Sequence, residues 1–333
     1  MRKSGIILIV TFMFVLVFGS FASADQELDL DKLSYQEIKQ FSENELKQLT
    51  DQLLQLSEDE RLVFINRIGY EQVADNPALA LGIPFTDQEA QEADESYEAV
   101  KKFADTSIYV PILREQFGEQ GQNSTTATTL LPIGTPGYYG AADTGYNYAS
   151  DVSLRTKAAW GTSGTGWIDA SSNYLIPGGK GSGEALGSIG KYVQISGSGT
   201  RSATATIKGN YSVVMQANAI VPNLPVGFGA KARVEAEIYE YVPSSGALYL
   251  IKRENVLNKY LTLLPIPNTY SGTISKNLTV NLQAGKTYLF RLYGYTSASV
   301  ENWEVFSNST SNMWSGGYGG NGVDFTSLQI GWN

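Results

Sequence analysis

The sequence predicts an α+β chain in two parts, an acidic helical N-terminal region followed by an all-β antiparallel sandwich, jelly-roll-like in type. Three observations predict it. In Phe228–Val242 (FGAKARVEAEIYEYV), Ala230, Ala232, Val234, Ala236 and Ile238 alternate with Lys231, Arg233, Glu235, Glu237 and Tyr239. A strand sends successive side chains to opposite faces, so this is a long strand with one small apolar face and one charged face. Helix-start signals recur only before residue 120. Charge divides at the same place. Residues 25–120 carry 22 acidic and 8 basic side chains, and residues 121–333 carry 11 and 14.

The N-terminus reads as a signal peptide over residues 1–24. Arg2 and Lys3 precede an apolar run from Gly5 to Phe18, and Ala22-Ser23-Ala24 supplies an A-x-A cleavage site. The run is short for a membrane span, no Cys follows it to carry a lipid, and the end at Asn333 has no apolar tail. The expectation is a secreted protein, extracellular or held non-covalently at the cell surface, with no stable membrane insertion after signal removal. The signal and the missing cysteines fit a bacterial, Gram-positive source.

Residues 25–120 are expected to form the acidic helical region. Ser42-Glu43-Asn44-Glu45, Ser57-Glu58-Asp59-Glu60 and Thr86-Asp87-Gln88-Glu89 are capping boxes, in which a hydroxyl and a carboxylate satisfy backbone N–H groups reciprocally. Leucines at 46, 49, 53, 54 and 56 give an apolar stripe after the first box. Leu62, Val63, Ile65 and Ile68 follow the second, with Gly69 placed to end that helix. Ala90, Ala93, Tyr97, Val100 and Phe103 follow the third. A short helical fragment at 35–41 precedes them all. This region suits a small bundle, an assembly or wall-binding module, or an acidic propeptide over a mildly basic domain.

Residues 121–150 read as a Gly/Ser/Thr/Pro-rich linker and a Tyr-rich loop, and 151–333 as the sandwich. Candidate strands lie at 152–160, 166–170, 191–196, 202–208, 211–221, 228–242, 247–252, 274–282, 286–295 and 323–332, separated by Gly, Pro, Asn and Ser clusters. Leu278, Val280 and Leu282, then Ala284-Gly285, then Tyr288, Phe290 and Leu292 read as one antiparallel hairpin. This strand–AGKTY–strand stretch is similar to hairpins in many secreted bacterial β-sandwich modules.

Composition excludes whole classes of chemistry. With no His and no Cys, a Ser-His-Asp triad, a Cys-His dyad and a His- or Cys-ligated zinc site are all absent. The acidic balance of residues 25–120 argues against nucleic acid as the main partner, and the slight basic excess of residues 121–333 is too weak to argue for one. Lys180 is followed by Gly181, so the Gly-rich stretch at 177–183 is no phosphate loop.

An enzyme built from this chain would use carboxylates, and Glu235 and Glu237 are the pair that share a strand face. Lys231 and Arg233 interleave with them, so that face reads as solvated and salt-bridged, and catalysis is not the leading expectation. Binding by aromatic rings is. Tyr239, Tyr293 and Tyr295 fall on polar strand faces, and Trp314 and Tyr318 tip a Gly-rich loop. No cofactor is expected, with a structural calcium site at Asp143, Asn147 and Asp151 as a weak oxygen-ligand alternative.

The function these residues point to is a non-enzymatic surface or extracellular-matrix protein whose sandwich binds a glycan or an extracellular protein. The alternatives are a carbohydrate-active hydrolase with paired carboxylates, a self-assembling structural protein, and a pore-forming toxin. The toxin reading rests on the Ser/Thr alternation of 202–212, which a solvated strand face produces equally well.

Overall fold

The computed structural model describes residues 28–107, 128–140, 142, 144–151, 167–168, 171–176, 181–219, 229–300, 307–313 and 322–333. It is mostly β-sheet, two layers around one apolar core, with helices packed on the outside. In the first sheet, β9 (Gly229–Val242) lies between β10 (Ala247–Gln283) and β11 (Thr287–Val300). Beyond β11 comes β7 (Gly181–Ser196), which also pairs with β4 (Thr144–Asp151) and, in parallel, with β2 (Thr129–Pro132). β1 (Ile83–Pro84) pairs with β10.

The second sheet is built on β8 (Thr200–Ala219), which pairs with β10 on one side. On its other side it pairs with β12 (Ser307–Asn312) and β13 (Gly322–Trp332). β3 (Gly137–Tyr139) and β5 (Trp167–Ile168) extend β13, and β6 (Ser171–Ile176) extends β12.

One strand belongs to both layers. β10 pairs with β9 up to Leu261 and with β8 from Leu264 onward, and its register breaks between Leu264 and Asn268. Pro265 and Pro267 sit in that break. Proline donates no ladder hydrogen bond, so pairing is weakest where the strand must turn from one sheet to the other. The sequence shows only the two ends of this strand as alternating patterns and leaves 253–273 between them unassigned.

The hairpin expected around Ala284-Gly285 is not one. The second half of β10 pairs with β8, while β11 pairs with β7 and β9. Leu278, Val280, Leu282, Tyr288, Phe290 and Leu292 do share the core, but from opposite layers. The turn holds a left-handed glycine, Gly285, whose N–H donates to the Ile195 carbonyl, tying the crossover to β7. Inward alternation shows that two strands share a core, and says nothing of whether they share a ladder. The stretch read as linker and loop also contains structure, since β2, β3 and β4 all fall within residues 129–151. The strand expected at 152–160 lies outside the described residues.

The helices are α1 (Tyr35–Ile38), α2 (Glu43–Gln55), α3 (Glu58–Asp75) and α4 (Asp87–Ser107). The capping boxes form as the sequence requires. Ser42, Ser57 and Thr86 each accept from the backbone N–H three residues on, and Glu45, Glu60 and Glu89 reach back. Leu33, Ile38, Leu49, Leu53, Phe64, Ile65 and Ile68 make a second core joining α1, α2 and α3.

α3 runs through Gly69 rather than ending there. A Cβ at Gly69 would lie 2.3 Å from the Pro265 carbonyl oxygen, so glycine is what lets the helix approach the bend in β10. Gln72 Nε2 donates to Asn218 Oδ1 at 3.1 Å, and Asn218 Nδ2 donates to the Ile65 carbonyl at 2.8 Å. The helical region is thus bonded to the sandwich through buried amides.

Candidate functional site

The charged face of β9 is buried. Its apolar face packs into the core between the sheets, and its charged face lies under α4, so Glu235 and Glu237 are both 0% exposed. This corrects the expected solvated outer face. The expectation failed because alternation shows that two faces differ in polarity, and not whether the polar one meets water. The signal that reveals the cover lies 130 residues upstream. Asp94, Tyr97, Glu98 and Lys101 stand at i, i+3, i+4 and i+7 of α4, a single helical stripe in which three of four residues are charged.

The cluster is assembled in cross-strand rows. Glu237 of β9 lies between Arg291 of β11 and Arg253 of β10, and Glu235 lies between Tyr293 and Asn255. The Glu237 row continues to Gly190 of β7, where a Cβ would stand 2.7 Å from the Arg291 Cβ; the glycine makes room for a fully buried arginine.

Lys101 of α4 comes down between the two carboxylates. Its Nζ lies 2.7 Å from Glu235 Oε2 and also contacts Glu237 Oε1. Arg291 Nε donates to Glu237 Oε2 at 2.7 Å, Arg233 Nε to Glu235 Oε1 at 2.8 Å, and the Tyr97 hydroxyl to Glu235 Oε2 at 2.5 Å. At the rim, Arg233 Nη1 donates to Asp94 Oδ1 at 2.6 Å, and Arg253 grips Glu98 with both terminal nitrogens. Four cations and four carboxylates therefore meet, and the group is neutral overall.

These contacts act on Glu237, Tyr97 and Arg253 in definite directions. Burial alone would push the Glu237 carboxyl up, but the adjoining charges of Arg291 and Lys101 outweigh it and hold the pKa at about 2. Burial pushes the Tyr97 hydroxyl well up, and the charges of Glu235 and Glu237 add to the effect, so it stays a neutral donor. Burial opposes the charge on Arg253, and its bond to Glu98 more than compensates. A general acid needs a carboxyl that is protonated near working pH. Glu237 is the reverse of that, and α4 closes the face to substrate.

The tyrosines expected to be exposed ligand rings lie in the same cluster and are buried. Tyr293 and Tyr295 are fully buried and Tyr239 nearly so. The Arg291 guanidinium stacks 4.3 Å from the Tyr239 ring centre, and the Lys101 ammonium sits 4.5 Å from that of Tyr293. Tyr295 packs edge-on against Tyr97 and donates to Glu184 at 2.8 Å. Strand parity placed these rings on the charged face correctly, and the face is occupied by the protein's own helix. Trp314, Tyr318 and Asp143 lie outside the described residues. Asn147 and Asp151 are on β4, and their side chains lie outside what is described. Among the described residues no group of three or more Asp and Glu side chains is gathered to hold a metal, and no helix is long and apolar enough to cross a membrane.

The second sheet presents an open face of another kind. Ala203, Ala205, Ile207, Leu278, Val280, Leu328 and Ile330 point into the core. The alternate positions Ser202, Thr204, Thr206, Asn277, Thr279, Asn281 and Gln329 point outward, partly or fully exposed. Thr206 donates to Asn277 at 2.7 Å, and Thr204 and Thr279 share a hydrogen bond of 3.1 Å. Across the row from Asn277 and Thr206, Gln329 pairs with Tyr138 of β3, which is 69% exposed. Tyr138 belongs to the Tyr-rich stretch that the sequence reads as a loop, whereas β3 sets that ring at the edge of a sheet.

No family profile matches the chain, and no curated protein sequence matches it. Solved structures match it weakly. A carbohydrate-binding module of the β-sandwich superfamily is 7% identical over 62% of either chain, with a TM-score of 0.16. Tailspike protein 4 of bacteriophage CBA120 is 8% identical over 56% of this chain and 19% of its own, also at 0.16. A capsid structure of infectious bursal disease virus, Gt strain, is 13% identical over 57% of this chain and 36% of its own, at 0.19. The chain spans less than two thirds of each. These scores carry no argument about topology or ligand.

Proposed function

We propose that this is a secreted, non-enzymatic surface or extracellular-matrix protein of bacterial origin, and that its jelly-roll-like sandwich binds a neutral glycan on the open face of the second sheet. The observation that carries the reading is that face. Hydroxyls and amides donate and accept, as sugar hydroxyls do, and they repeat about 4.8 Å apart between strands and about 6.7 Å along them. Tyr138 stands at the end of a row, where a ring stacks on a sugar. The hydrolase alternative loses its catalytic pair, because Glu235 and Glu237 are both covered by α4 and Glu237 is held ionised.

The test is a glycan array with the protein after signal removal, followed by titration of any ligand found. Tyr138→Ala is expected to weaken binding about tenfold, equivalent to roughly 1.4 kcal/mol, with an unchanged circular dichroism spectrum. No glycan signal, or a ligand that binds the variant as tightly, contradicts the reading.

A further inference from the structure

A row of outward side chains crosses the second sheet from one edge to the other. Asn277 of β10 pairs with Thr206 of β8, Thr206 with Gln329 of β13, and Gln329 with Tyr138 of β3. On the rows immediately beside it β13 supplies Gly331, which has no side chain, and Ser327, which is buried. β3 is three residues long, and Tyr138 is its one outward side chain, since Gly137 and Tyr139 pair with the inward Ile330 and Leu328. The polar atoms of the row are available to a ligand. Thr206 donates to Asn277 Oδ1, which leaves the Asn277 amide N–H groups and the Thr206 oxygen to bind. The Gln329 side chain has no hydrogen-bond partner among the described residues. Both ends of the row are open, because among the described residues no strand lies beyond Asn277 on β10 or beyond Tyr138 on β3.

Spacing decides what can lie there. Outward side chains recur about every 6.7 Å along a strand and about every 4.8 Å across strands. In an extended β-linked chain of the cellulose or chitin type, each sugar advances by about one strand spacing. Such a chain lying across the strands meets a new side chain at each ring, and one lying along a strand falls out of step. Equatorial linkages keep it straight, whereas an α-linked chain coils away from a straight row. Each strand is turned by about 20–25° from its neighbour, and the torsions of the glycosidic linkages let the chain follow. Resting on the reading that this face binds a neutral glycan, we propose that its ligand is the interior of an extended β-linked chain of neutral sugars, lying across the strands with one sugar each on Asn277, Thr206, Gln329 and Tyr138. The Tyr138 ring stacks on a sugar face, and the other three side chains hydrogen-bond hydroxyls. A row open at both ends accepts a chain that continues past it, so the site reads a stretch of polymer and not a terminus. The row spans three strand spacings, about 14 Å, which sets the footprint at four sugars.

The test is titration calorimetry on the protein after signal removal, with cello-oligosaccharides and N-acetylated chito-oligosaccharides of one to six sugars. For at least one series, affinity is expected to rise at least about tenfold from two sugars to four and to stay level beyond. Tyr138→Ala weakens binding at every length. Asn277→Ala, at the far end of the row, weakens the four-sugar ligand about fivefold, the size of one hydrogen bond, and leaves the two-sugar ligand unchanged. Asn281→Ala, on the same strand but off the row, changes neither. Both asparagines are exposed, so neither variant disturbs the core. An affinity that does not depend on chain length, or an equal loss from Asn281→Ala, overturns the proposal and leaves glycan binding standing. So does a protein that ignores both series and binds another glycan of the array through Tyr138. Silence from both series and from the array overturns this proposal and the glycan reading together.

Discussion

Lys101→Met lowers the unfolding free energy by about 3–5 kcal/mol, the range seen when one partner of a buried ion pair is removed. Methionine keeps most of the lysine stem, so packing changes little and the loss is electrostatic. It leaves Glu235 and Glu237 side by side without the ammonium that both contact, at positions no solvent reaches. The contrast is Lys32→Met. Lys32 pairs with Asp29 at 2.6 Å, but the two side chains are 84% and 53% exposed. An exposed pair is screened by solvent and contributes little. Urea titrations followed by circular dichroism therefore separate the two variants by a large midpoint shift for Lys101 and almost none for Lys32. Similar shifts would show that Lys101 is solvated and that α4 does not cover the sheet.

Acid weakens the same contact. The folded pKa of Glu237 is about 2 and its ordinary value is 4.5. Between these values the unfolded chain binds the proton and the folded chain does not, so stability rises with pH across the window. The contribution is complete above pH 4.5 and is lost as pH falls through about 2. Glu37, Glu45 and Glu60 shift the same way, because the hydroxyls of Ser34, Ser42 and Ser57 donate to them, so part of the acid slope is theirs. Glu237→Gln removes only its own part. The expected result is a shallower loss of stability between pH 5 and 2.5 in the variant than in the wild type. Parallel slopes would contradict it.

Much of the fold was legible because its determinants are local. Capping boxes are satisfied within four residues, and β13 was legible from 323 to 332 because Val323 and Phe325, then Leu328 and Ile330, alternate with polar or small residues on either side of its bulge. The charged residues of β9 and the tyrosines of β11 were assigned to the right faces by parity alone. Non-local facts were not legible. That one strand serves both sheets depends on what lies beside Pro265 and Pro267. That Gly69 is a contact point depends on a carbonyl nearly two hundred residues away. The burial of Glu235 and Glu237 depends on Lys101, a residue that reads by itself as an ordinary surface lysine of an acidic helix. Two half-signals existed, a charged strand face and a charged helix stripe. Each looks solvated alone, and only together do they describe an interface.

The most direct test of the charge-matched docking of α4 is a thermodynamic cycle on Lys101→Met, Glu237→Gln and the double variant, read as unfolding free energies at neutral pH. Residues that share a buried pair do not add, and the predicted coupling is about 1.5–3 kcal/mol, with the double variant more stable than the sum of the single changes implies. Additivity within about 0.5 kcal/mol would mean that the two side chains do not meet, and that the helix does not lie on this face.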